Sequence, residues 1–213
     1  KHQHQDAPLQ YRPVGIVHSC YGERRGTPRP GMLAPSARSR LELDARLVQP
    51  QALQGIEQFS HVWLLYSFHE NTNALKPQQQ VRAKVPPPAL GGAATGIFST
   101  RTPHRPNAIG LTVARLLGVS GNSLLLGGAD LLDRTPVLDI KPYLLHDAQA
   151  DATVPPWCER VDAASLIREV RISPSAQASL DAAAPSLDFY ADDAPLARRA
   201  IEETLRLDIR SVH

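Results

Sequence analysis

Proline breaks this sequence so often that a fold of long helices would tolerate it badly. There are nineteen prolines, several clustered as in Pro86-Pro87-Pro88 and Pro155-Pro156. A proline inside a helix removes a backbone donor and clashes with the preceding turn. The pattern therefore demands short elements joined by turns and loops.

Between the breakers lie short apolar runs that read as strands. Residues 11–18 (YRPVGIVH) suit a first strand with Pro13 near its start, and 40–43 a short second one. Residues 50–58 fit helical turns. Residues 61–68 (HVWLLYSF) are nearly all apolar, with β-branched and aromatic members, as in a buried strand. Residues 71–80 read as a loop, and 81–92 as extended and irregular. Further strands are expected at 94–100, 111–119, 123–129 and 136–140. The periodicity of 111–119 also allows a helix, but Gly110 and Gly118 bound it tightly and favour a strand. Residues 166–172 (LIREVRI) are consistent with either element and are assigned as strand.

After Ser173 the composition changes. Residues 175–184 are alanine-rich and helix-prone. Residues 193–208 place Leu196, Ala200, Ile201, Thr204 and Leu207 at helical spacing, with Asp192 or Asp193 as cap. The expected organisation is a tag-like start over 1–10, a β domain over 11–172 and a helical appendage over 173–213. The fold class is mainly β: a small closed or nearly closed barrel, without the βαβ alternation or the G-x-G-x-x-G of a Rossmann domain.

The 213 residues suffice for one such domain and its appendage, and the 42% hydrophobic and 21% charged fractions are ordinary for a soluble protein. The net charge of +2 permits nucleic-acid binding without demanding it. No apolar run reaches membrane-spanning length, and no secretory signal stands at the start. The opening Lys1-His2-Gln3-His4-Gln5 resembles an expression tag. The two cysteines, Cys20 and Cys158, have no metal-ligand spacing and suit reduced thiols in the cytoplasm; no metal is expected.

Three constellations carry chemistry. Residues 99–107 (STRTPHRPN) hold two arginines, a histidine, three hydroxyls and an amide on a loop stiffened by two prolines. Such a loop suits a polar or anionic ligand, or is simply a polar turn. Residues 130–143 (DLLDRTPVLDIKPY) put Asp139 and Lys141 on one face of a strand, as part of a polar site or as an exposed ion pair. Residues 59–70 (FSHVWLLYSFHE) end in His69-Glu70, at the mouth of a barrel if the run is a strand.

These segments, with RPVGIVHS and PRPGM, resemble the TsaA/TrmO family over residues 11–172, with a weaker echo at 200–210. The resemblance implies a β-barrel methyltransferase that works as a homodimer. Its methyl donor would be S-adenosylmethionine, and its target N6 of threonylcarbamoyladenosine in tRNA, 3′ of the anticodon. The matching cofactor positions are Pro30, Gly31, Met32, His69, Glu70, Arg101, Leu111, Gly127, Gly128, Ala129, Asp130 and Leu131. Arg101 suits the methionyl carboxylate. By residue type, Asp139, Lys141 and Tyr143 are candidates for acid–base work on the poorly nucleophilic N6. Arg24, Arg25, Arg29, Lys84, His104 and Arg105 are candidates for RNA contacts. The alternatives are a noncatalytic S-adenosylmethionine- or RNA-binding module, and a methyltransferase for a small molecule.

Three positions depart from the family pattern. Arg134 stands where glycine is common, Ala108 where proline is, and Asp208-Ile209-Arg210-Ser211 replaces the D-P-R-P tail. Glycine tolerates positive φ and arginine does not, so the turn at Arg134 is expected either to differ or not to need it.

Overall fold

The computed structural model describes residues 9–28, 31–70, 83–158 and 169–207. Six strands close into an antiparallel barrel: β1 (Gly15–Ser19), β2 (Arg38–Leu43), β3 (His61–Ser67), β6 (Ile109–Ser120), β7 (Ser123–Gly127) and β8 (Thr135–Pro142). Their order around the wall is β1-β2-β7-β6-β3-β8, and β1 pairs with β8 to complete the ring. The remaining two strands, β4 (Lys84–Val85) and β5 (Thr95–Gly96), form a small separate sheet inside the β3–β6 connection.

Period-two alternation puts Val17, Leu41, Val62, Leu64, Leu124, Leu126 and Val137 inside, each fully buried. Truncating any of these leucines to alanine would cost about 2–5 kcal/mol. Directly paired residues share a face, so the register also defines the outer wall. Leu111, Leu65 and Asp139 form one outward row across β6, β3 and β8, and Val113, Trp63 and Lys141 the next. A bulge between Leu65 and Tyr66 lets Tyr66 face Val137 on the inside.

Every long connection in the barrel except that between β2 and β3 leaves from one end. Residues 20–37, 68–108 and 128–134 join β1–β2, β3–β6 and β7–β8 there. The opposite end has the 44–60 link, with its two 3-10 turns (Pro50–Leu53, Ile56–Gln58), and the tight turn at Gly121-Asn122. We call the loop-bearing end the mouth.

Two expected strands are not formed as expected among the described residues. Over 94–100 only Thr95–Gly96 pair, because Ile97–Ser99 coil into a 3-10 turn that the Thr100 hydroxyl closes by donating to the Ile97 carbonyl (2.9 Å). Over 166–172 the described residues, 169–172, carry no strand; Arg171 forks onto Glu169 two residues away (2.7 and 3.1 Å).

The appendage is helical as expected. Helix α1 (Pro174–Ala183) is capped by Ser173, and helix α2 (Ala194–Arg206) by Asp193, which accepts from the Leu196 amide at 2.8 Å. Leu180, Leu187, Phe189 and Leu196 pack around Tyr190, Ala197 and Ala200. The chain then docks on its own barrel: Leu207 is buried with Tyr21, Ala34 and Ala37 of the β1–β2 connection.

Candidate functional site

The residues singled out as a cofactor site come from all three connections at the mouth. Gly31 lies in the β1–β2 connection, His69 and Glu70 leave β3, Arg101 lies in the 68–108 connection, and 127–131 leave β7. The structure joins two of these groups directly. Gly31 is buried so tightly on 128–130 that a β-carbon there would overlap the Asp130 amide nitrogen and the Gly128 carbonyl. Only glycine permits that approach. Gly128, at φ 66°, turns the chain out of β7, and Met32 lies over it. The Gly128 amide donates to the Ala37 carbonyl (3.0 Å), tying the two connections together again.

At the top of the barrel interior stand two groups the sequence did not single out. Thr112 faces inward and donates to Asp130 Oδ1 at 2.7 Å, fixing that carboxylate. Tyr66 is buried and packs on Gly110. Burial first, then the Asp130 carboxylate, push its phenol well above the ordinary tyrosine range, while Arg101 acts in the opposite direction. Tyr66 is therefore a neutral phenol that feels both a carboxylate and a guanidinium. A polar residue at an inward position of an otherwise apolar strand was the available signal for both Tyr66 and Thr112.

Residues 97–107 form a braced loop. Arg105 donates to the Thr100 carbonyl (2.7 Å) and to the Ile97 carbonyl (3.4 Å), and its guanidinium lies over the Phe98 ring at 5.5 Å. One guanidinium nitrogen, Nη1, thus helps hold the loop together. His104 Nδ1 is buried without a hydrogen-bond partner. Phe98, Arg105, Pro106, Asn107 and Ile109 enclose a cleft of about 390 Å³. Arg101 remains exposed, as do Arg24, Arg25 and Lys84 on the mouth connections. His69 and Glu70 are exposed at the end of β3. Pro30 and Arg29 lie outside the described residues.

Asp139, Lys141 and Tyr143 are not brought to this mouth. Asp139 and Lys141 pair with each other at 2.7 Å on the outer wall, half-exposed, and β8 carries them away from the loop-bearing end. Tyr143 lies at the opposite end, against Trp63 and His61. The reason is the pleat: Asp139 faces the same side as Leu65, opposite to Tyr66. Leu111 shares this outer wall and is half-exposed with Ile109.

Arg134 adopts φ 63°, the left-handed region, unlike any other described non-glycine residue. The turn therefore keeps the conformation that glycine would favour. Asp133 and Arg134 hold it by donating to the Tyr21 and Val17 carbonyls, each at 2.7 Å. Cys20 and Cys158 are free thiols. Among the described residues no three His, Cys, Asp or Glu side chains are grouped to hold a metal, and no helix is long and apolar enough to cross a membrane.

Residues 16–149 match the family model described as the tRNA-methyltransferase O N-terminal domain. A human tRNA (adenine(37)-N6)-methyltransferase is 48% identical over 138 residues, covering 64% of this chain and 30% of that protein. A Pseudomonas aeruginosa protein, RcsF, named as an S-adenosylmethionine-dependent methyltransferase, is 52% identical over 142 residues, covering 66% of this chain and 59% of its own. The chain thus spans under two thirds of the length of these relatives. A crystal structure of TrmO from P. aeruginosa superposes with a TM-score of 0.75 at 37% identity, over 99% of this chain and 85% of that one. The barrel, its braced mouth and these matches together place the chain in the TrmO family.

Proposed function

We propose that this protein transfers a methyl group from S-adenosylmethionine to N6 of threonylcarbamoyladenosine in the anticodon loop of tRNA, in the cytoplasm and as a homodimer. The observation that carries the reading is the seating of Gly31 on Gly128–Asp130, which assembles a cradle from two connections at one barrel end. The residues present suit the cofactor. Arg101 is an exposed cation for the methionyl carboxylate. Backbone groups of 127–131 would hold the adenine, with Met32 beside it, and His69 and Glu70 would complete the site. The orphaned His104 Nδ1 is a buried polar atom suited to a polar partner.

When bound, the cofactor supplies an electrophilic methyl group on a sulfonium. The protein's task is alignment and proton handling. The N6 lone pair of a carbamoylated adenosine is delocalised, so the site must take up the N6 proton or stabilise charge on the carbamoyl oxygen. Tyr66, held neutral, is the candidate hydrogen-bond donor, and Asp130, fixed by Thr112, the candidate carboxylate. In this reading Asp139, Lys141 and Tyr143 belong to the outer wall. Self-association is supported by the apolar row there, with Ile109 and Leu111 at 39% and 51% exposure.

RNA contact falls to Arg24, Arg25, Arg29 and Lys84 as phosphate partners, with His104 and Arg105 near the base. Incubating the protein with S-adenosylmethionine and threonylcarbamoylated tRNA, then analysing nucleosides by mass spectrometry, tests the reading. N6-methylated threonylcarbamoyladenosine is expected. Cofactor binding by calorimetry without that product would indicate a noncatalytic module, and methylation of a small molecule instead of tRNA would replace the substrate.

A further inference from the structure

Helix α2 lies beyond the residues matched by the family model, yet four side chains from the appendage reach the mouth. Glu203 of α2 accepts two hydrogen bonds from one residue: the Ser36 amide to Oε2 and the Ser36 hydroxyl to Oε1, each at 2.8 Å. Tyr190, just before α2, accepts from the Arg38 amide at 2.9 Å and donates to the Ser36 carbonyl at 3.3 Å. Tyr21 and Thr204 join their hydroxyls at 3.1 Å on the same side. Ala34 and Ala37, between these anchors, are buried, and Leu207 packs on them.

The held segment has a second face. The Ala34 amide donates to the Gly31 carbonyl (2.9 Å), and the Ala37 carbonyl accepts from the Gly128 amide (3.0 Å). Residues 31–37 are thus clamped between α2 on one side and the exit of β7 on the other. A loop anchored on one side alone would sample many positions, and ligand binding would have to offset that freedom. We infer that Glu203 and Tyr190 are positioning residues: by fixing Ser36 and Arg38 they set Gly31 and Met32 against Gly128–Asp130, and so preform the S-adenosylmethionine cradle. This rests on the reading of the mouth as the cofactor site.

The bonding pattern selects the variants. Glu203→Gln keeps the shape but presents an amide NH₂ where one Ser36 donor needs an oxygen. Tyr190→Phe keeps the ring and removes the hydroxyl shared by Ser36 and Arg38. Glu202→Gln, one residue away and bonded to Arg198 at 2.9 Å, is the control. Each test variant is expected to weaken S-adenosylmethionine binding about five- to tenfold by calorimetry, the loss of one to two net hydrogen bonds. KM for the cofactor should rise with kcat little changed, which a general loss of fold would not produce.

Hydrogen exchange on the cofactor-free protein gives an independent readout. The Ser36 amide should exchange faster in Glu203→Gln and the Arg38 amide in Tyr190→Phe, with β3 and β6 unaltered. Unchanged exchange in both variants overturns the bracing. Faster exchange with wild-type affinity overturns its role toward the cofactor. A wild-type protein that binds no S-adenosylmethionine removes the cofactor reading itself, and that result is distinct from either.

Discussion

The ring of Tyr66 occupies the space that a β-carbon on Gly110 would need, and the two residues face each other across the β3–β6 ladder. Gly110 is therefore required by a close approach. Overpacking a buried site costs about 1–3 kcal/mol, so Gly110→Ala should lower the melting temperature by roughly 2–10 °C. Combining it with Tyr66→Ala should cost less than the two changes summed, because the second vacates the contested space. Additive losses in thermal denaturation would contradict this packing.

Arg134 holds a left-handed conformation at φ 63°, which costs an L-residue about 1–2 kcal/mol. The added chain entropy of glycine in the unfolded state offsets part of the relief. Arg134→Gly should raise stability by about 0.5–1 kcal/mol, whereas the β-branched Arg134→Val should lower it by at least about 1 kcal/mol. Denaturant unfolding of the two variants checks the sign of each.

Legibility from sequence followed the strength of local signals. The run 61–68 is apolar, alternates in burial once folded, and forms β3 one residue shorter than expected. Asp193 and the apolar spacing after it gave α2 and its cap. The 94–100 stretch misled because its composition suits a strand, while a side-chain bond from Thr100 to Ile97 closes a turn instead. Site residues carried by loops were named through resemblance, and the described ones lie on connections that the topology sends to one end. Asp139 and Lys141 share a face as expected, but which face depends on register with β3, and register is not a local property. Ser36, Tyr190 and Glu203 left no local signature, because their relationship spans more than 150 positions.

Asp147 accepts from the Leu144 amide (3.0 Å) and from the Trp63 indole (2.8 Å). These bonds, the backbone one first, hold its carboxyl below the ordinary range. A folded-state pKa below the unfolded value contributes stability that is present above about pH 4 and lost as pH falls through the lowered value. Trp63 fluorescence should therefore titrate with a midpoint below about 4. Asp147→Asn should abolish that step, and persistence of the step would assign it elsewhere.

Arg101 and Asp139 should separate by function. Loss of a charge-assisted hydrogen bond, about 1.5–3 kcal/mol, predicts roughly 10- to 100-fold weaker S-adenosylmethionine binding in Arg101→Ala. Asp139→Asn removes a half-exposed ion pair worth about 0–1 kcal/mol and should leave affinity and methylation rate within a few-fold. A collapse of kcat in Asp139→Asn would return that carboxylate to the chemistry.

Leu111 stands half-exposed in the outward row with Leu65. Leu111→Lys should shift a dimer toward monomer in sedimentation velocity, with melting temperature little altered if the side chain faces a second copy. A wild-type protein that sediments as a monomer would exclude self-association through this wall.

The ring-closing ladder between β1 and β8 joins Gly15 to Val137, about 120 positions along the chain, and contacts of such sequence separation form slowly because loop entropy is lost before they are made. The β6–β7 hairpin, by contrast, closes over the two-residue turn at Gly121-Asn122 and is available early. During synthesis the hairpin can stand while the wall is still open. Val17 and Thr135 pair in that last ladder, next to the turn at Asp133-Arg134. Barrel closure therefore sets the Asp133-Arg134 turn at the mouth, and a ribosome-bound chain ending before β8 still has an open wall there.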